Sequence, residues 1–257
     1  MSLISRLFVL ISLVAGLQAL PTAAAPPGEP VDLRESTLRV QQDLAALEML
    51  DEQIERAAQQ EHEALVFRRD QRIFRTLQGM DQLLSDVSEL PNESPERSQT
   101  LENVLPALRI TAQSALVRID ELGARIVTLQ TDIQGQTGAE LIRHEAYLRA
   151  LQELRLRYYQ ALAQLIEGRT LVGLPDERLG EQILPQLHLL AEAMSGRIEI
   201  TGRGLRELGQ RASREATNAD LDQVIADLSR RQAADLDQLD TIISVLQRLG
   251  ADPVSYR

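Results

Sequence analysis

The apolar residues between Leu101 and Ile133 are spaced by three and four positions without interruption. This spacing places them on one narrow face of a helix over more than four heptads. A strand would need alternation by two, which the stretch lacks. Because so narrow a face needs other helices to cover it, the stretch predicts a helical bundle. The seam comprises Leu101, Leu105, Leu108, Ala112, Ala115, Ile119, Leu122, Ile126, Leu129 and Ile133.

The rest of the chain has the composition of long helices. Hydrophobic residues make up 44% and aromatic residues only 3%, while Leu, Ala, Glu, Gln and Arg are abundant. Such residues favour helices, and similar three-and-four seams recur along the chain. We therefore predict an all-α fold, an elongated bundle of long, coiled-coil-like antiparallel helices over residues 33–249. The predicted helices span about 33–90, 95–134, 139–167, 175–200, 205–216 and 218–249.

The boundaries come from local breaks in the pattern. The first seam thins near Gln59 to Glu63, which leaves open whether residues 33–90 form one helix or two. The glycines between Gly196 and Gly209 predict a hinge or loop, because glycine is unfavourable inside a helix. Gly168 to Gly173 ends a further helix. Leu249 and Gly250, followed by a proline, mark the end of the last one.

The N-terminus has the pattern of an export signal. Arg6 precedes an apolar run from Leu7 to Leu20, and Pro21 to Pro26 is rich in small residues. The run is shorter than the roughly 20 residues of a bilayer span. We therefore predict a signal peptide over residues 1–24, then a Pro-rich tether over residues 25–32. An uncleaved membrane anchor is the alternative interpretation.

Charge and cysteine content exclude several functions. The net charge is −11, and a chain without a dominant basic face is not expected to bind nucleic acid. All of its positive side chains apart from histidine are arginines. Because cysteine is absent, disulfides, thiol chemistry and cysteine-based metal sites are excluded.

The sequence offers no convincing catalytic, metal-binding or cofactor-binding motif, so we predict a protein that is not an enzyme. His62, His144 and His188 lie on different predicted helices, without the converging ligands that a metal needs. Gly202-Arg203-Gly204 lacks the third glycine and the preceding strand of a dinucleotide site. Asp235, Asp237 and Asp240 are interpreted as an acidic, solvated helix face.

Two groups of arginines are candidates for contacts with lipid headgroups or an acidic neighbouring subunit. One lies on a single helical face beside two phenylalanines, and the other makes the glycine-rich segment locally basic. The alternative is neutralisation by acidic residues of adjacent helices. The candidate residues are Arg68, Arg72 and Arg75 in the first group, and Arg203, Arg206, Arg211 and Arg214, near Arg197, in the second.

The C-terminal forty residues carry a family resemblance. Leu249, Gly250, Asp252, Tyr256 and Arg257 match a Leu-Gly-x-Asp-x-x-x-Tyr-Arg pattern. This resembles the end of the periplasmic helical extension of larger MscS-like mechanosensitive channels, which there leads towards the membrane-spanning part. No pore-lining helix follows the match here, so residues 250–257 are interpreted as a tail leading towards a missing membrane domain.

The resemblance implies a non-catalytic periplasmic extension that is attached to the inner membrane in the full-length protein. It would pack against its own transmembrane domain, against neighbouring subunits of a homo-oligomer or against lipid headgroups, and modulate gating or assembly. A free periplasmic coiled-coil scaffold or chaperone-like protein is the first alternative. A four-helix-bundle sensory domain is the second.

Overall fold

The computed structural model describes residues 33–133, 138–212 and 219–251, and these residues are almost entirely α-helical. The all-α prediction is confirmed. Contacts divide the chain into two compact units, the first ending at Pro175 and the second beginning at Asp176. The helices are α1 Leu33–Arg56, α2 Gln59–Ser88, α3 Pro95–Ile133, α4 Gly138–Leu171, α5 Glu177–Ala212 and α6 Ala219–Arg248.

Several predicted features lie outside the described residues. They are the signal peptide, the Pro-rich tether, Arg214, and the tail from Asp252 onwards.

Residues 33–133 and 138–175 of the first unit contain four helices, and α2 and α3 form the central pair among them. Each of these two helices packs against the other and against both α1 and α4. On α1 and α2, Asp43 contacts Arg72, whereas the later Asp51 contacts the earlier Arg69. This reversed order shows that the two helices are antiparallel, as expected for helices joined by a short connection.

The predicted first helix, residues 33–90, is two helices. The chain turns at Ala57 and Ala58, and Ala58 has an extended backbone with φ −66° and ψ 153°. The turn lies just before the stretch where the apolar seam thins. A helix without an apolar face gains little from continuing, so the chain reverses there and packs α2 onto α1.

The seam of α3 forms much of the core of the first unit. Pro95 is the first residue of the helix, as predicted, and Pro106 lies inside it at an exposed position. Leu101, Leu105 and Ile133 are half-buried near the two ends. The predicted seam residues that are fully buried are Leu108, Ala112, Ala115, Ile119, Leu122, Ile126 and Leu129.

Helix α4 continues past its predicted end at residue 167. Gly168 is buried against α2, where an added Cβ would lie 3.2 Å from Cδ1 of Leu84. The glycine therefore permits a close helix contact instead of ending the helix. The helix ends at Leu171, and the turn that follows has Gly173 in the left-handed region at φ 80°. The amides of Gly173 and Leu174 donate to the Thr170 and Arg169 carbonyls, which is a Schellman motif.

The second unit is an antiparallel hairpin of α5 and α6. The predicted hinge at residues 196–209 and the separate helix at 205–216 are wrong, because α5 is continuous to Ala212. Gly202 is buried, and a Cβ there would lie 2.9 Å from Nε2 of Gln232 on α6. This glycine thus serves a contact between helices. As predicted, the chain leaves α6 at Leu249 and Gly250, with Gly250 at φ 76°.

Candidate functional site

The first unit contains a buried polar cluster centred on Asp70 of α2. Nε and Nη2 of Arg118, on α3, donate to the two carboxylate oxygens of Asp70 at 2.7 and 2.9 Å. The hydroxyl of Tyr158, on α4, donates to Oδ1 of the same carboxylate at 2.6 Å. Asp70 and Tyr158 are at most 1% exposed. One carboxylate therefore joins three helices inside the apolar core.

The cluster continues towards the surface through a second layer of charge. Nη1 of Arg118 donates to Glu121 at 2.9 Å, and Arg69 donates to the same glutamate at 2.7 Å. Arg69 also reaches Asp51 of α1 at 3.4 Å. The network thus involves all four helices of the first unit, and its charges alternate in sign.

The surroundings fix the protonation of the buried groups. Burial raises the pKa of the Tyr158 hydroxyl well above its ordinary value of 10.0, and the Asp70 carboxylate raises it further. Burial lowers the pKa of Arg118, but the carboxylate of Asp70 outweighs this effect and leaves the pKa above its ordinary value. Tyr158 therefore stays a neutral donor, and Arg118 stays a cation.

These hydrogen bonds fix the relative positions of α2, α3 and α4. Both oxygens of Asp70 accept hydrogen bonds, and Arg118 donates from all three of its nitrogens. The ring centroids of Phe74 and Tyr158 lie 4.3 Å apart, so an aromatic ring packs against the tyrosine of the cluster. Because Asp70 and Arg118 are fully hydrogen-bonded, their role is to position the helices. A chemical step at either group would first have to break these hydrogen bonds. The sequence did not predict this cluster.

The first predicted arginine group faces α1. Arg72 donates a hydrogen bond to Asp43, a buried carboxylate of α1, and Nε of Arg75 lies 3.7 Å from the same carboxylate. Arg68 is exposed. The structure thus brings two of these three arginines to one acidic residue of the adjacent helix. That is the neutralisation considered as the alternative to lipid contact.

The second predicted group lies along α5. Arg203 pairs with Glu199 of its own helix at 3.0 Å, and Arg206 and Arg211 are exposed. The neighbouring Arg197 donates two hydrogen bonds to Asp235 of α6, at 2.8 and 2.6 Å. These arginines are therefore spread along α5, and Arg197 forms an ion pair that links α5 to α6.

The three histidines lie on three different helices, α2, α4 and α5. Within the part of the chain that the structure describes, no group of three or more His, Asp or Glu side chains could hold an ion. His62 is exposed and His188 half-buried, while Nδ1 of His144 lies 3.0 Å from the Glu140 carbonyl of its own helix. Asp237 and Asp240 are exposed, as the interpretation of a solvated face predicts, but Asp235 does not fit it, because it is half-buried and accepts two hydrogen bonds from Arg197.

Two surface features were not predicted. A groove of about 860 Å³ lies between the first turns of α1 and α3 and is bordered by Arg34, Thr37, Gln41, Gln99 and Asn103, among others. The second feature is an apolar stripe on the outer face of α5. Both depend on which helix faces remain uncovered, and helix pairing cannot be read from a seam alone.

Comparisons assign no relatives to this architecture. No helix within the described ranges has an apolar stretch that is long enough to cross a bilayer. No protein-family model, curated protein or solved structure matches the chain.

Proposed function

We propose that the chain is a non-catalytic helical extension of an MscS-like mechanosensitive channel. In this proposal it lies in the periplasm, is attached to the inner membrane in the full-length protein, and packs against its own membrane domain or neighbouring subunits. Its role is to modulate gating or assembly. The proposal combines the C-terminal resemblance with a surface that favours contacts between helices.

The observation that carries the proposal is the incomplete burial of the α5–α6 hairpin. At the end of the hairpin where α5 ends and α6 begins, the apolar residues that face the other helix are only half-buried, namely Leu205, Leu208, Leu221 and Ile225. At the other end Leu187, Ile243 and Leu246 are fully buried. Half-buried leucines gain stability when another helix covers them, because about 25 cal/mol is gained per Å² of apolar surface removed from water. A module that binds other helices is consistent with this pattern.

The first unit supports a role as a rigid framework. Its polar cluster and packed seams fix four helices relative to one another, and a rigid body is what a mechanical or assembly role needs. The matched residues Leu249 and Gly250 terminate α6. A free periplasmic scaffold would use the same surfaces, so it remains the first alternative.

A sensory role is favoured by one specific observation, the polar groove of the first unit. Hydroxyl and amide groups of Thr37, Gln41, Gln99 and Asn103 border it. Four-helix bundles hold ligands between facing helices. A sensor would bind a small polar molecule there, and substitution of Gln41 and Asn103 by Ala would abolish that binding without unfolding the unit.

Fractionation of native cells tests the channel proposal. An antibody to this region is expected to detect a band much larger than the 28.6 kDa of the chain in the inner-membrane fraction. Crosslinking of the native protein is expected to give oligomers. A band near the mass of the chain in the soluble periplasmic extract would overturn the channel proposal in favour of the free scaffold.

A further inference from the structure

The outer face of α5 carries an apolar stripe that no described residue of the second unit covers. Leu189 is 66% exposed and Ile200 is 70% exposed, and Ala193 and Gly196 are exposed between them. Spacings of four, three and four place these residues on one helix face, which Gly204 extends by a further turn. The residues of α5 that are buried in the hairpin, such as Leu187 and Met194, fall on the opposite face.

Two glycines in this stripe make no packing contact with the described part of the chain. A Cβ added at Gly196 or Gly204 would meet no atom within 4 Å. Each glycine nevertheless costs the helix about 1 kcal/mol relative to alanine. Glycine on an exposed helix face lets another backbone approach closely. The cost therefore has a structural reason if a second helix packs across this face.

We infer that the stripe docks the same helix of a second copy of this chain, packed antiparallel. With a two-fold axis beside Gly196, Leu189 faces Gly204 of the second copy, and Ile200 faces Ala193 of the second copy. Each large side chain then meets a small one, as close packing requires. The contact is isologous, which means that both copies contribute the same surface. Each pairing of residues therefore occurs twice, and two copies leave no stripe uncovered.

Charge complementarity selects the antiparallel orientation. Glu192 and Arg203 are both exposed and flank the stripe on one side. The same two-fold axis places Glu192 of each copy beside Arg203 of the other. In a parallel arrangement the symmetry axis runs along the helices and places Glu192 and Arg203 of the second copy on the opposite flank, so this pairing is lost. Arg203 pairs within its own helix with Glu199, but an exposed pair of this kind contributes little, so exchanging it costs little.

The substitution Gly204→Leu tests the contact. In the single chain a leucine there has open space and improves helix propensity, so folding is preserved. In the dimer it clashes with Leu189 of the second copy, and the dimer Kd is expected to rise by about tenfold or more. Gly209→Leu is the matched control, since Gly209 also has open space but lies on another face. Sedimentation equilibrium of the purified chain measures both.

A crosslink locates the axis independently. The chain has no cysteine, so Gly196→Cys introduces a single thiol. Mild oxidation is expected to join two copies through Cys–Cys bonds, and Gly209→Cys is expected to stay largely monomeric. Equal crosslinking of the two variants, or equal effects of the two leucine substitutions, would overturn the inference.

The inference rests on the proposed packing of neighbouring subunits but can fail separately. If native crosslinking gives oligomers whose mass Gly204→Leu leaves unchanged, this surface is wrong and the proposed function stands. If the purified chain is monomeric at all concentrations and native crosslinking gives no oligomer, both are wrong.

Discussion

The two units of the molecule bury their helices to different extents. In the first unit the central helices α2 and α3 each have three neighbours, so their seams are covered and even an Asp–Arg–Tyr cluster lies in the interior. In the second unit α5 and α6 cover one another, and much of the seam near their turn remains half-buried. The same helical periodicity thus produces a packed core in one region and an available surface in the other.

A heptad seam therefore specifies burial only through the number of helices that surround it. Leu228 of α6 follows Leu221 and Ile225 at the same spacing of four and three that places Leu122 in the α3 seam, yet Leu122 is fully buried and Leu228 half-buried. We therefore expect the first unit to set the stability of the protein and the second to set its associations. The following predictions test this contrast.

Removal of the Asp70 carboxylate is expected to have the largest effect. Asp70→Ala removes the partner of two of the three nitrogens of the buried Arg118 and leaves it only the half-exposed Glu121, which should lower the free energy of unfolding by about 3 kcal/mol. Asp240→Ala changes an exposed carboxylate of α6 and is expected to stay within about 0.5 kcal/mol of the native chain. Urea unfolding followed by circular dichroism measures both. Similar small effects would show that the cluster does not stabilise the first unit.

Truncation of matched leucines compares the two seams directly. Leu122→Ala leaves a cavity in a closed core and is expected to cost about 2–5 kcal/mol. Leu228→Ala removes a side chain that is already partly in water, so its cost should be about 1 kcal/mol. Thermal and urea unfolding of the two variants provide the measurement. If Leu228→Ala costs as much as Leu122→Ala, the hairpin is packed as tightly as the first unit and the contrast fails.

A pair of glycine substitutions should change stability in opposite directions. Gly168→Ala places a Cβ 3.2–3.3 Å from Leu84 and is expected to destabilise the first unit by about 1 kcal/mol. Gly204→Ala meets open space and is expected to stabilise α5 by about 0.5–1 kcal/mol. Unfolding at low protein concentration separates these effects from association. A loss of stability in Gly204→Ala would mean that the chain itself packs against this position.

Alkaline pH should weaken the first unit through Tyr158. Burial raises the pKa of this hydroxyl in the folded chain, so the folded state holds the proton more tightly than the unfolded state. The stability that this contributes is complete below about pH 10 and decreases as the pH rises from there towards the raised value. Tyr158→Phe should reduce that decrease. An unchanged pH dependence of unfolding in the variant would contradict this assignment.

The sequence predicted the elements that depend on one helix alone. The seam of α3, its start at Pro95 and the end of α6 at Gly250 follow from local spacing and from residues with special backbone preferences. The break between α1 and α2 was placed only approximately. It occurs at two alanines, the residue type with the highest helix propensity, so the packing of α2 onto α1 decides the break and not the local sequence.

Features that depend on two or more helices were not predictable. In the sequence Asp70 and Arg118 look like surface residues of separate helices, and Tyr158 lies on the inward face of a third. Only the pairing of α2, α3 and α4 brings the three together. Gly168 and Gly202 were interpreted as breaks, although each lies where a neighbouring helix comes close. The meaning of a glycine depends on what faces it, and the sequence of one helix does not contain that information.

Arg97 marks the end of the first unit at which the chain both enters and leaves. This buried side chain donates to the Leu90 carbonyl, just after α2, and to the Val172 carbonyl, just after α4, at 3.0 and 3.1 Å. Because α1 and α2 are antiparallel, Leu33 begins at that same end. A tensile load applied through residues 33 and 172 would therefore break the contacts between helices one after another. It would not load all the contacts along the bundle at the same time. The unit would therefore yield readily as a link in a load-bearing chain, whereas as a side branch of such a chain it would carry none of the tension.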